Sequence, residues 1–323
     1  MDNIQDEEED INMSNKFVIL ADTTCDLSKD FRKEFDIELI PGHFTTPDGV
    51  EHSGDCTWDE FDRDEFYKAL KKDPSGFQSA PASVEEFKEV FLRHARAGEA
   101  MISVCISGTM SGTYSFMCSA REQVLNEIPN AEIYVCDSRR FGPVCGLMCI
   151  YLANLRKEGK SAKEAFDWLE TNKNCFHQAG WMDDLSFVAK KGRITHAKAF
   201  FGSLIGIKPI GEFDYNGMTT VIGKGKGEDK TMNALIRYIE SNIVEPEKQI
   251  IFVATSNEHK QAEKFKNLIV EKFHPQAAYV CDVFSNCGIN IGPGLMAAYY
   301  FGKPITEGLV DESKALKEIL ENN

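Results

Sequence analysis

The stretch CISGTMSGTYSF, residues 105–116, places two Ser-Gly-Thr steps four residues apart, directly after an apolar run and ahead of a pattern that reads as helix. A helix starting after such a loop offers free N–H groups and the positive end of its dipole, and hydroxyls add donors without adding charge. Ser107, Thr109, Ser111 and Thr113 therefore read as a grip for a negatively charged oxygen group, since capping one helix needs a single Ser or Thr. A second candidate is KKGRITHAKAF, residues 190–200, where Arg193 follows a glycine at the end of an apolar run. Its planar fork of donors suits a carboxylate or a phosphate. His196, in the same stretch, is the only base that motif brings near the serines.

The known phosphate and nucleophile motifs do not fit. GKGKGEDKT, residues 223–231, lacks the spacing of G-x-x-x-x-G-K-[ST], and no first-strand turn carries G-x-G-x-x-G. A serine hydrolase elbow would read G-x-S-x-G, whereas residues 108–112 read GTMSG, with the serine one place late. No HExxH or carboxylate cluster argues for a catalytic metal, and no C-x-x-C pair argues for a structural one. What remains is a set of anion donors without an obvious base or nucleophile. A serine-dependent acyl-transfer or hydrolytic enzyme acting on a small acid or ester stays open as the alternative.

These residues must be held by strand ends. FVILADTT, MISVCISGT, EIYVCDS, IIFVATS and AYVCDV are short apolar runs that each close on small polar residues, the pattern of parallel strands buried on both faces. Between them lie helical patterns such as 83–98, with apolar residues at Val84, Phe87, Val90 and Phe91 and a capping box from Ser83 to Glu86. Ligands of open α/β sheets collect outside the carboxyl ends of the strands, so Asp22–Thr24, Ser107–Thr113 and Asp137–Ser138 form one expected set. Residues 146–174 read as two helices broken at Gly159, and Asn216-Gly217 as a hairpin turn. The expected organisation is an acidic, disordered tail over 1–15, an N-terminal α/β domain over 16–160 with a doubly wound parallel sheet, and a mixed α+β domain over 161–323.

Composition narrows the partners. The 36 Lys and Arg against 51 Asp and Glu give a net charge of -15. Asp2, Asp6, Glu7, Glu8, Glu9 and Asp10 supply part of it, and the rest of the chain stays acidic. Such a surface repels phosphate backbones and anionic lipid headgroups, which argues against nucleic acid. No basic flank with an apolar core opens the chain and no apolar window nears the length of a membrane span, so a cytoplasmic protein is expected. Cys105, Cys136, Cys149 and Cys281 sit inside apolar runs and read as core.

Taken in order, several segments resemble the DegV family, bacterial fatty-acid-binding proteins. ADTTCDLS (21–28) is similar to the family's D-S-s-x-D-L, ISGTMSGTY (106–114) to I-S-S-x-L-S-G-T-Y, and CDS (136–138) to its D-S. KKGRI (190–194) followed by GIKPI (206–210) resembles K-G-G-R-I and I-K-P-I, and IGPG (291–294) its terminal G-P-G. The resemblance covers about Phe17 to Gly302. It implies a two-domain fold with a long-chain fatty acid between the domains, no catalysis and no cofactor. It also implies a fatty acid kinase subunit as the partner that phosphorylates the carboxylate, while the energy of burying an acyl chain, enough to draw a lipid from a bilayer, adds a transient membrane encounter. The family's headgroup ligands correspond to Ser107 and Arg193. Ser79 stands for a threonine, and Asn290 stands where the family often has histidine. Burying a sixteen-carbon tail at about 0.8 kcal/mol per methylene gives on the order of 12 kcal/mol, provided the carboxylate is not left unpaired. The apolar stretches 200–207 and 295–301 are expected to be core, with some side chains along the tunnel.

Overall fold

The structure, a computed structural model, describes residues 17–195 and 206–322. The expected tail, His196 and most of the apolar stretch 200–207 lie outside those residues. Within them the strands form three sheets.

The first sheet has four parallel strands in the order Ile37–Ile40, Phe17–Asp22, Ala100–Cys105, Ile133–Asp137. Helices Val84–Arg96 and Thr113–Glu127 pack together beside this sheet, and Phe87, Phe91, Met117 and Val124 join Leu20 and Met101 in one apolar cluster. The capping box is formed: the Ser83 backbone N–H donates to the Glu86 carboxylate at 2.7 Å, and Glu86 N–H donates to Ser83 Oγ at 3.2 Å. The order of the strands reverses between Phe17–Asp22 and Ala100–Cys105. A cleft opens at such a reversal because the connections leave in opposite directions.

The second sheet is mixed and has seven strands, in the order Ala277–Asp282, Ile250–Thr255, Leu295–Phe301, Phe176–Met182, Ile207–Phe213, Thr219–Lys226, Ile194–Thr195. Ile250–Thr255 and Ala277–Asp282 run parallel, while Leu295–Phe301 is antiparallel to both of its neighbours. The hairpin at 207–226 turns at Asp214–Gly217. The Asp214 carboxylate accepts the N–H groups of Asn216 and Met218, and Gly217 takes φ +95°, a conformation that suits glycine.

Between the two large sheets lies the helix Pro143–Lys157, apolar on all sides and buried from Pro143 to Ile150. At Gly146 a side chain would strike Leu27 and the carbonyl of Cys25, so the helix can approach the 23–27 turn only without a Cβ there. The break expected at Gly159 is present, with φ +80° before the helix Ala162–Asn172. Cys105, Cys136, Cys149 and Cys281 are buried free thiols. The α/β class and the pairing of a parallel with a mixed sheet follow the sequence expectation.

The third sheet was not expected. Glu51–Gly54, Gly42–Thr45 and Gln78–Ala80 pair antiparallel in that order. Strands of three and four residues with mixed polarity carry too little alternation to be read.

Candidate functional site

A cavity of about 240 Å³ sits where the first sheet reverses its order. This is just under the roughly 300–1,000 Å³ usual for ligand pockets. Asp22, Thr23 and Thr24 line it from the end of one central strand, and Ile106, Met110, Ser111 and Thr113 from the end of the other. The small third sheet contributes Ser79 and Ala80, the helix Ser285–Ile291 contributes Asn286 and Asn290, and Val188 and Arg193 close another side. The first and third sheets thus meet helices and a loop that connect strands of the second sheet around one space.

Asp22 binds the two central strand ends together. Its carboxylate accepts Thr24 N–H at 2.6 Å, the Thr24 hydroxyl, and Ile106 N–H at 3.0 Å. Burial pushes its carboxyl above the usual value and these bonds pull it down. Counting hydroxyl hydrogens shows what the cavity can offer a ligand. The Thr23 hydroxyl donates to the carbonyl of Gly54 and that of Thr24 to Asp22, so neither has a hydrogen left.

Asn290 Nδ2 donates to the carbonyl of Asn286 at 2.9 Å and to Ser79 Oγ at 2.8 Å. A carbonyl only accepts, so the amide nitrogen must face it, and both N–H groups are committed. Ser79 is then an acceptor toward Asn290, and its own hydrogen is free. Ser111 Oγ and Thr113 Oγ1 lie 2.8 Å apart, and Ser111 Oγ also accepts Thr113 N–H. Two hydroxyls with one bond between them leave one hydrogen to spare. Arg193 is exposed and spends one N–H on the carbonyl of Lys191; among the described residues it is the only cation lining the cavity. The free side-chain donors are therefore Ser79, the Ser111–Thr113 pair, Arg193 and the second amide hydrogen of Asn286, whose first goes to the carbonyl of His43 at 3.0 Å, and such a set suits a carboxylate.

Of the four residues the sequence nominated, Ser79, Arg193 and Asn290 line this cavity. Ser107 does not. It is fully buried, and its hydroxyl lies 2.8 Å from Thr109 Oγ1 and accepts Thr109 N–H. It faces the tip of the 207–226 hairpin, where a Cβ on Gly217 would come within 2.2 Å of its oxygen. The hydroxyls that reach the cavity from this loop are four and six residues further on. The doubled Ser-Gly-Thr held the signal, but local pattern could not say which copy faced inward. Asn290 is placed as expected but has no hydrogen left for a ligand. The stretch 295–301 is core throughout, its residues alternating between two apolar clusters, and none lines the cavity.

The cavity shares Met110, Ser111, Gly112 and Arg193 with an open groove on the outer side of the loop. Its donor end thus faces the surface. No histidine lines the cavity among the described residues, and no group of three metal-ligating side chains occurs among them. No helix among them is long and apolar enough to cross a membrane.

A family model described as "Uncharacterised protein, DegV family COG1307" matches residues 16–303. A DegV domain-containing protein of Clostridium perfringens is 31% identical over 289 residues, which is 89% of this chain and 98% of the relative. Among solved structures, a DegV family protein from Thermus thermophilus, described by its fatty acid binding, superposes with a TM-score of 0.78 at 20% identity, covering 89% of this chain and 99% of its own. A DegV family protein from Eubacterium eligens loaded with heptadecanoic acid gives 0.77 at 22% identity, over 89% of this chain and all of the other. The Streptococcus pneumoniae Fatty Acid Kinase (Fak) B3 protein loaded with linoleic acid gives 0.74 at 19%, over 88% and 99%. The two-domain fold is shared with these proteins.

Proposed function

The chain belongs to the DegV family, and we propose that it binds a long-chain fatty acid and presents the carboxylate to a fatty acid kinase subunit, acting as a carrier without catalysis of its own. The observation that carries this reading is the hydrogen count at the cavity. Ser79, the Ser111–Thr113 pair and Arg193 converge as donors on one space whose remaining wall includes Ile106, Met110, Phe141, Val188 and Ile291. A carboxylate paired this way does not forfeit the gain from burying its chain. The described walls hold the headgroup and the first methylenes, and the groove outside Ser111 and Arg193 leaves that headgroup within reach of a partner.

Native mass spectrometry of protein purified from cells tests the ligand. A bound C14 to C18 acid is expected; repeated preparations that carry none and take up no added oleate would contradict the reading. Adding the kinase subunit and ATP tests the partner, with acyl phosphate formed only when all three components are present. Turnover of acid and ATP, or of an acyl ester, by the purified chain alone would favour the enzyme instead.

A further inference from the structure

Arg140 is the largest fully buried side chain among the described residues. No carboxylate oxygen there lies within ion-pair distance of it. Its guanidinium instead donates to neutral acceptors from three segments: Nε to the carbonyl of Phe176 at 2.7 Å, Nη1 to those of Arg139 at 2.7 Å and Asp214 at 3.4 Å, and Nη2 to Asn174 Oδ1 at 3.4 Å. It also covers the ring of Phe213 at 5.2 Å. Burial pulls it down to about 10, still protonated at neutral pH. Placing a cation here is costly, and what the contacts have in common is the hairpin turn at 214 and the start of the strand at 176.

Arg140 also touches the donor loop. Its carbonyl accepts Ser107 N–H at 2.8 Å, and the hairpin it holds meets that loop from the other side, where Thr109 Oγ1 donates to the carbonyl of Gly217 at 3.2 Å. The carbonyl of Ser107 in turn accepts Met110 N–H at 2.9 Å and Ser111 N–H at 3.2 Å. A continuous path of hydrogen bonds therefore joins the second sheet to the hydroxyl pair at the cavity.

We infer that Arg140 is a positioning residue, clamping the 107–113 loop against the hairpin so that Ser111 and Thr113 stay aimed at a ligand carboxylate. The inference rests on the fatty-acid reading of the cavity. Its test compares Arg140→Lys with wild type in two ways: affinity for oleate and for methyl oleate, and amide hydrogen exchange over 107–113 and 214–218. A lysine ammonium cannot span the three segments. Because the misplaced groups act on charge, oleate should bind about tenfold more weakly and methyl oleate less than twofold more weakly, while exchange quickens in both segments. Equal weakening of both ligands, or unchanged exchange at 107–113, would overturn the inference. If Arg140→Lys does not fold, Thr109→Val cuts the same path at its outer bond; it should show the same acid-selective pattern to a smaller degree, and its absence counts equally against the clamp. A wild-type protein that takes up neither ligand sinks the fatty-acid reading, while the exchange comparison still decides whether Arg140 holds the loop.

Discussion

Ser107-Gly108-Thr109 and Ser111-Gly112-Thr113 are the same three residues twice, with the same local bonds. In each, the two hydroxyls lie 2.8 Å apart and the threonine N–H donates to the serine at 3.3 Å. Their surroundings separate them. The first copy follows a parallel strand and is pressed under a hairpin from the other sheet; the second runs into the first residue of a helix and lines a cavity. Local geometry fixes how such a step folds, and its neighbours decide whether the spare hydrogen goes to the protein or faces the cavity.

The largest expected separation of the two copies comes from removing the second. Ser111→Ala with Thr113→Val should weaken oleate roughly tenfold to a hundredfold, the usual range for losing hydrogen bonds to a charged group. Loop exchange should stay close to wild type, and an equal loss for methyl oleate would break the comparison. Gly217→Ala attacks the first copy. A Cβ at φ +95°, set against Ser107 Oγ and the Arg139 backbone, should cost about 2 kcal/mol in a urea melt; an unchanged melt would show that the hairpin is not seated there.

A third change leaves both copies alone and tests the turn after the first strand, behind the cavity lining, where Asp26 accepts Phe284 N–H at 2.9 Å while its Oδ2 is buried without a hydrogen-bond partner among the described residues. Burial pushes this carboxyl well above the usual range. The fold then keeps a proton that the unfolded chain gives up above about pH 4, so stability falls as pH rises from there toward the folded value. Asp26→Asn, at a left-handed position that asparagine tolerates, should flatten this slope by up to about 1.4 kcal/mol per pH unit. Parallel slopes would show that Asp26 is ionised in the fold. The smallest pair is at the rim. Arg193→Ala should weaken oleate severalfold, because its exposed charge is screened, and Lys226→Ala should leave it within error; equal effects would remove Arg193 from the headgroup site.

The sequence made the frame legible wherever a run was long enough to carry its own period. The strands at 17–22, 100–105 and 133–137 and the capped helix at 84–96 fall where their patterns put them. Direction was harder to read. A strand such as 295–301, buried on both faces, has the same apolar composition whether it runs parallel or antiparallel. At the site, Ser79, Asn290 and Arg193 were nominated and do line one cavity, whereas Ser107 could not be told from Ser111 because the two steps are locally identical. Arg140 had no signal at all. Its acceptors are backbone carbonyls and one asparagine, which sequence spacing does not reveal.

The most direct test is the carbon-13 signal of oleate labelled at its carboxyl carbon, followed against pH with wild-type protein. The account predicts a bound signal, distinct from that of free acid, that holds the ionised position through the range where free acid titrates and loses that behaviour in the Ser111→Ala, Thr113→Val variant. A bound acid whose carboxyl carbon titrates as it does in water, with or without those hydroxyls, would contradict it.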